Sequence, residues 1–172
     1  QPRADDALSL PICCLKACNC GPADKRSNFL RMCSSYFKLL PTEPLIYVSF
    51  GSGDLWFDWW FLEALLGAKF QIDSAHFIDR FYLPEVVVGT AGVANPLKQL
   101  AAWLRGASIL SFAYESLDQF LRARPQGAHI VVTCDADIRG LDVTQAARDG
   151  GFHFWLQCEG GSIAAWQRNN EE

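Results

Sequence analysis

The sequence predicts an α/β fold: an open, doubly wound, mainly parallel sheet of about five strands with flanking helices, preceded by an irregular cysteine-rich N-terminal arm. Three observations predict it. From Leu45 onward, short apolar runs alternate five times with helical patterns. Those runs do not alternate polar and apolar positions, so both faces of each strand are covered, as a parallel sheet demands. The first run ends in Gly51-Ser-Gly53 and leads straight into a helix, the order of a ligand-binding strand-to-helix turn.

Residues 1–44 form the arm, broken by Pro2, Pro11, Gly21, Pro22, Pro41 and Pro44. Within it only Asn28 to Leu40 has helical spacing: Phe29, Leu30, Cys33, Phe37 and Leu40 share one face, Ser27 is a cap and Pro41 a stop. Residues 45–157 form the α/β body. Leu45 to Phe50 is the first strand, and Asp54 caps a helix that runs to Leu66 and stops at Gly67. Ala75 to Asp79 is the second strand. Asn95-Pro96 opens a helix to Arg105, since proline at the first helical position needs no N–H partner. Ser108 to Phe112 is the third strand, Glu115 to Arg122 a helix, and Ala128 to Thr133 the fourth strand. Leu141 to Arg148 then has a helical pattern, and Phe152 to Leu156 is the fifth strand. Residues 158–172 are read as a polar tail.

The 172 residues carry 15 basic and 19 acidic side chains, a net charge of -4, which disfavours general nucleic-acid binding. No uncharged apolar run approaches the ~20 residues needed to cross a bilayer, so no transmembrane segment is expected. The richest stretch, Leu55 to Phe70, carries Asp58, Glu63 and Lys69. The chain begins at Gln1, as a fragment or a processed chain does. Removal of a targeting segment would leave an organellar address open.

Of seven cysteines, Cys13, Cys14, Cys18, Cys20 and Cys33 lie in the first 33 residues. They contain no Cys-x-x-Cys knuckle, and five clustered thiols leave one over from any pairing, so reduced thiols and no metal site are expected. His76, His129 and His153 lie at or within strands and are read as packed structural histidines. Neither a Gly-x-Ser-x-Gly elbow nor a Gly-x-x-x-x-Gly-Lys loop occurs.

In this fold, ligands bind outside the carboxyl ends of the strands where the strand order reverses. Gly51 and Gly53 permit close backbone approach there, and the following helix offers free N–H groups. Asp79 ends the second strand, where an acid can accept the hydroxyl hydrogens of a ribose. It stands 26 residues after Gly53, against the ~20 of a compact unit, and an ion pair with Arg80 or a turn cap is the alternative.

Tyr47-Val-Ser-Phe-Gly-Ser-Gly-Asp54, Phe77-Ile-Asp79, Ile130-Val-Val-Thr-Cys-Asp135 and Arg148-Asp-Gly-Gly-Phe-His-Phe154 together resemble class I S-adenosylmethionine-dependent methyltransferases. The resemblance spans residues 45–157. It implies that Gly51, Ser52 and Gly53 pass under the methionine part of an S-adenosylmethionine cofactor, that Asp79 holds the ribose, and that Tyr114 or Glu115 lies beside the adenine. Asp135 would face the transferred methyl, and Asp149-Gly150-Gly151 would form a structural turn before the fifth strand. The pattern departs at Ser49, where the family has an acid, at Leu55, where it has a third glycine, and after the fifth strand, where little is left for its antiparallel hairpin.

Trp56, Phe57, Trp59, Trp60 and Phe61 crowd one helix with more aromatic surface than a single buried face uses. The core accounts for about half of them, and Trp56, Trp59 and Trp60 are expected on a protein-partner surface, with a donor-binding mouth beside the helix as the rival explanation. Two readings follow. One is methyl transfer from S-adenosylmethionine to an unknown acceptor. The other is a catalytically inactive domain of the same fold, serving as a structural or scaffold subunit of a larger assembly.

Overall fold

The computed structural model describes residues 23–51, 55–79, 94–134, 136, 140–157 and 162–169, with the side chains of 23–25, 94–96 and 157 excepted. Helix α1 (Ala23–Ser35) and a 3-10 turn (Phe37–Leu39) precede strand β1 (Leu45–Phe50). Then follow α2 (Trp56–Gly67), β2 (Ile72–Ile78), α3 (Ala94–Gly106), β3 (Leu110–Tyr114), α4 (Leu117–Ala123) and β4 (Ala128–Cys134). A second 3-10 turn (Val143–Ala146), β5 (Ala147–Gln157) and β6 (Ser162–Gln167) complete it. The strands form one sheet in the order β3-β2-β1-β4-β5-β6. The first five pair in parallel and β6 runs antiparallel to β5. The predicted α/β class and its parallel core are therefore present.

Side-chain parity along β1 divides the protein into two layers. Leu45 and Tyr47 face a core shared with α1, α2 and α3, which includes Phe29, Cys33, Phe61, Leu65, Leu100 and Trp103. Val48 and Phe50 face the other way, toward Leu117 and Phe120 of α4 and Val143 and Ala146 of the second 3-10 turn. The described end of the arm thus packs into the same core as the sheet.

Helix α2 is apolar nearly all round because it is the middle of a three-helix layer. Phe57 stacks on Phe29 of α1 at 4.8 Å, while Trp59 meets Trp103 of α3 at 5.6 Å. Trp59, expected on a partner surface, is therefore a core residue, only 5% exposed. Its indole N–H has no hydrogen-bond partner among the described residues. Trp56 and Trp60 are half-buried and pack on each other at 5.0 Å.

Several boundaries differ from expectation. Helix α1 begins at Ala23, so Ser27 lies inside it and is not its cap, and it ends at Ser35 before the 3-10 turn. Strand β2 begins at Ile72 and not Ala75, and β3 spans Leu110–Tyr114 and not Ser108–Phe112, since Ser108 takes a turn conformation (φ 63°). The predicted helix over 141–148 is a single 3-10 turn. Asp142 accepts hydrogen bonds from the Thr144 N–H and the Gln145 side chain, while Ala147 pairs with Ala128 as the start of β5. Asp149-Gly150-Gly151 lies inside β5 as a bulge, not before it: register shifts between Ala128 and Ile130, Gly150 takes φ +75°, and a Cβ at Gly151 would meet the Ala128 carbonyl at 2.7 Å. The expected tail supplies β6, whose Ile163 and Ala165 pack on the core.

All three histidines are buried, as expected. Burial depresses His76 and His153 to about 4, so both are neutral in the fold at pH 7. His129 ties three segments together at the amino-terminal end of the sheet. Its Nδ1 accepts the Ile46 N–H at 2.8 Å, which leaves Nε2–H to donate to Glu43 at 2.7 Å, and Arg148 closes on the same carboxylate at 3.2 Å. Replacing His129 with alanine strands the Ile46 donor, and the expected loss is about 2 kcal/mol of unfolding free energy in urea titration. An unchanged midpoint would show that water substitutes for the imidazole.

Candidate functional site

The strand order reverses between β1 and β4, so the carboxyl ends of these two strands, with β2 beside β1, form the switch-point rim. Gly51 leaves β1 at φ +61°, still tied to β2 by its N–H donating to the Ile78 carbonyl at 2.9 Å. A Cβ at Gly51 would collide with Ala136 of the segment after β4. The glycine is thus required for the close passage of the protein's own chain. Ser52, Gly53 and Asp135 lie outside the described residues, as do Asp54 and Cys13, Cys14, Cys18 and Cys20.

Asp79 directly follows β2 and is 8% exposed, with its backbone N–H donating to the Tyr114 carbonyl at 3.0 Å. Strand parity places it on the α2 side of the sheet, with Phe77. Gly51 and Asp79 are thus adjacent across the β1–β2 ladder. Tyr114 ends β3, and its side chain belongs to the opposite layer. The ring stacks on His76 at 5.7 Å and meets Phe120 edge-on at 5.9 Å, and its hydroxyl lies 3.1 Å from His76 Nδ1. Glu115 follows at the rim, its N–H donating to Gln119 Oε1 at 3.0 Å. Of the two residues expected beside an adenine, both are half-buried, and the Tyr114 ring is engaged in the His76–Phe120 cluster.

Sequence reasoning passed over Asp58 as one charge in an apolar stretch. It is 3% exposed, on the first turn of α2, and accepts the Tyr47 hydroxyl at 2.6 Å. The Ser49 hydroxyl also hydrogen-bonds its carboxyl. Burial pushes Asp58 up to about 6; the bonds from Ser49, Tyr47 and its own backbone oppose that rise, and the nearby Asp79 carboxyl adds to it. Burial, with the Asp58 charge second, raises the Tyr47 phenol well above its usual range. An acid inside an otherwise aromatic helical turn was the available signal, because an acid fully enclosed by apolar neighbours must find hydroxyl partners.

Leu55, at the position of the family's third glycine, takes the left-handed conformation (φ 62°) while burying its side chain. The chain keeps a glycine-type backbone there at a cost of about 1–2 kcal/mol in strain. Among the described residues, no group of three or more His, Cys, Asp or Glu side chains is arranged to hold a metal. Cys33 is a free, buried thiol whose pKa burial raises strongly.

No protein-family profile matches this chain, and no curated protein matches it. Among solved structures it is similar to an O-methyltransferase family protein from Burkholderia thailandensis, with a TM-score of 0.47 and 12% identity. The match covers 76% of this chain and 37% of that one, so the chain spans little more than a third of that protein. Strand order and strand directions define the class directly: a Rossmann-like α/β fold, with a mostly parallel sheet between two helical layers.

The Asp58 geometry has a measurable consequence. A carboxyl raised from 3.8 to about 6 favours the fold fully below pH 3.8, and that contribution is lost as pH rises to about 6. Asp58→Asn keeps an acceptor for Tyr47 and removes the charge. Its stability relative to wild type should therefore improve by about 2 kcal/mol between pH 4 and pH 7, read from urea midpoints. A difference independent of pH would mean that Asp58 titrates normally.

Proposed function

We propose that the chain is an S-adenosylmethionine-dependent methyltransferase-like domain whose switch-point rim holds the donor and presents its methyl to an acceptor. The observation that carries this reading is the juxtaposition of Gly51 with Asp79, backed by the buried Asp58, at the carboxyl ends of β1 and β2 beside the point where strand order reverses. The residues fit the donor in part. Asp79 would accept the hydroxyl hydrogens of a ribose, and Glu115, at the end of the neighbouring strand, would lie beside the adenine. The donor's sulfonium supplies an already activated methyl, so the protein's task is alignment. Asp135 is assigned to orient the acceptor or take its proton.

The second reading is a non-catalytic scaffold of the same fold. Ala136 filling the space beside Gly51 favours it, because a bend closed by its own chain has less room for a ligand. The half-buried Trp56–Trp60 pair is its proposed protein contact.

Melting the protein with S-adenosylhomocysteine separates the two. At ~100 times the dissociation constant, a ligand that binds only the folded state adds about 2.7 kcal/mol and raises Tm. Asp79→Asn, which accepts fewer hydroxyl hydrogens, should weaken that binding about tenfold or more. Absence of any shift at millimolar ligand, in wild type and variant alike, favours the scaffold.

A further inference from the structure

We infer that the outer edge of β3, unpaired among the described residues, is the contact through which two copies of this chain pair, joining their sheets about a two-fold axis at Phe112. The inference is independent of what the rim binds. β3 is an outer strand, with β2 on one side and no strand on the other among the described residues. Its register with β2 is regular from Leu110 to Tyr114. The Tyr114 carbonyl accepts from Asp79 and so points toward β2. Alternation then turns Phe112 and Leu110 the same way, leaving the N–H and C=O groups of Ser111 and Ala113 pointing outward.

Natural edges are usually protected by a charge, a proline or a bulge. Leu110-Ser-Phe-Ala-Tyr114 contains none of these. Instead Leu110 is 58% and Phe112 39% exposed, on the same side of the strand.

The strand is complementary to itself. With two copies antiparallel and Phe112 opposite its mate, Ser111 faces the partner's Ala113 and each pair exchanges both backbone bonds. The two Phe112 rings then occupy the close, non-hydrogen-bonded position, where aromatic cross-strand pairs are favourable. An isologous contact of this kind closes as a dimer. Joining β3 to the opposite edge, β6, would instead propagate as an open fibre. These arguments select a second copy as the occupant.

Light scattering behind size exclusion, across a hundredfold range of protein concentration, tests it. Wild type should approach twice the 19.2 kDa chain mass as concentration rises. Hydrogen exchange at the Ser111 and Ala113 amides should slow over the same range. Ala113→Pro deletes an outward donor that β2 does not use, and Phe112→Lys sets two like charges face to face. Each variant should remain at the single-chain mass while keeping a wild-type far-UV spectrum. Wild type that stays at the single-chain mass throughout overturns the proposal. So does a dimer that survives both substitutions, which would place the interface elsewhere.

Discussion

The architecture depends on one constraint: β1 has no solvent-facing side. It lies between β2 and β4 in the plane of the sheet, with helices α1 to α3 over one face and α4 over the other. Every residue along it is committed by parity. Tyr47 and Ser49 must face α2, whereas Val48 and Phe50 must face α4. A polar pair placed beneath an aromatic helix needs partners there, and Asp58 is what α2 provides. The Tyr47–Asp58 bond therefore follows from burial on both faces and also links the strand to the helix that opens the rim.

Much of this was legible because two-sided burial leaves a plain sequence signature. The β1 limits agree with the apolar run, and β4 differs by one residue, since uninterrupted β-branched runs have no other stable environment. The aromatic crowding of α2 was read as surplus because a single helix has only one sheet-facing side. Phe57 and Trp59 are absorbed by α1 and α3, whose contacts no local pattern displays, while Trp56 and Trp60 stay half-buried on each other. The segment 141–148 misled for a different reason: apolar spacing of three and four residues also fits one 3-10 turn followed by a strand. The sixth strand was missed because Gly160-Gly161 and a polar end resemble a tail until β5 offers a pairing edge.

The site was half legible. Glycine turn and second-strand acid are local motifs, and the fold brings Gly51 and Asp79 together at adjacent strand ends. Asp58 is not local in that sense, because its importance comes from Tyr47 eleven residues away. Tyr114 shows the converse. Its position at the end of β3 is right for the rim, but side-chain parity turns it into the aromatic cluster around His76 and Phe120. Gly51 carries a tension between the two functional readings, since the same missing side chain admits a ligand in one and the protein's own Ala136 in the other.

The most direct test of the central claim is an amide chemical-shift map of the labelled protein titrated with S-adenosylhomocysteine. Three N–H groups report on the rim through known acceptors: Gly51 to Ile78, Asp79 to Tyr114, and Glu115 to Gln119. The account predicts that these three move together and saturate at one ligand concentration. Unmoved rim amides, or saturable shifts confined to another part of the sheet, would contradict it.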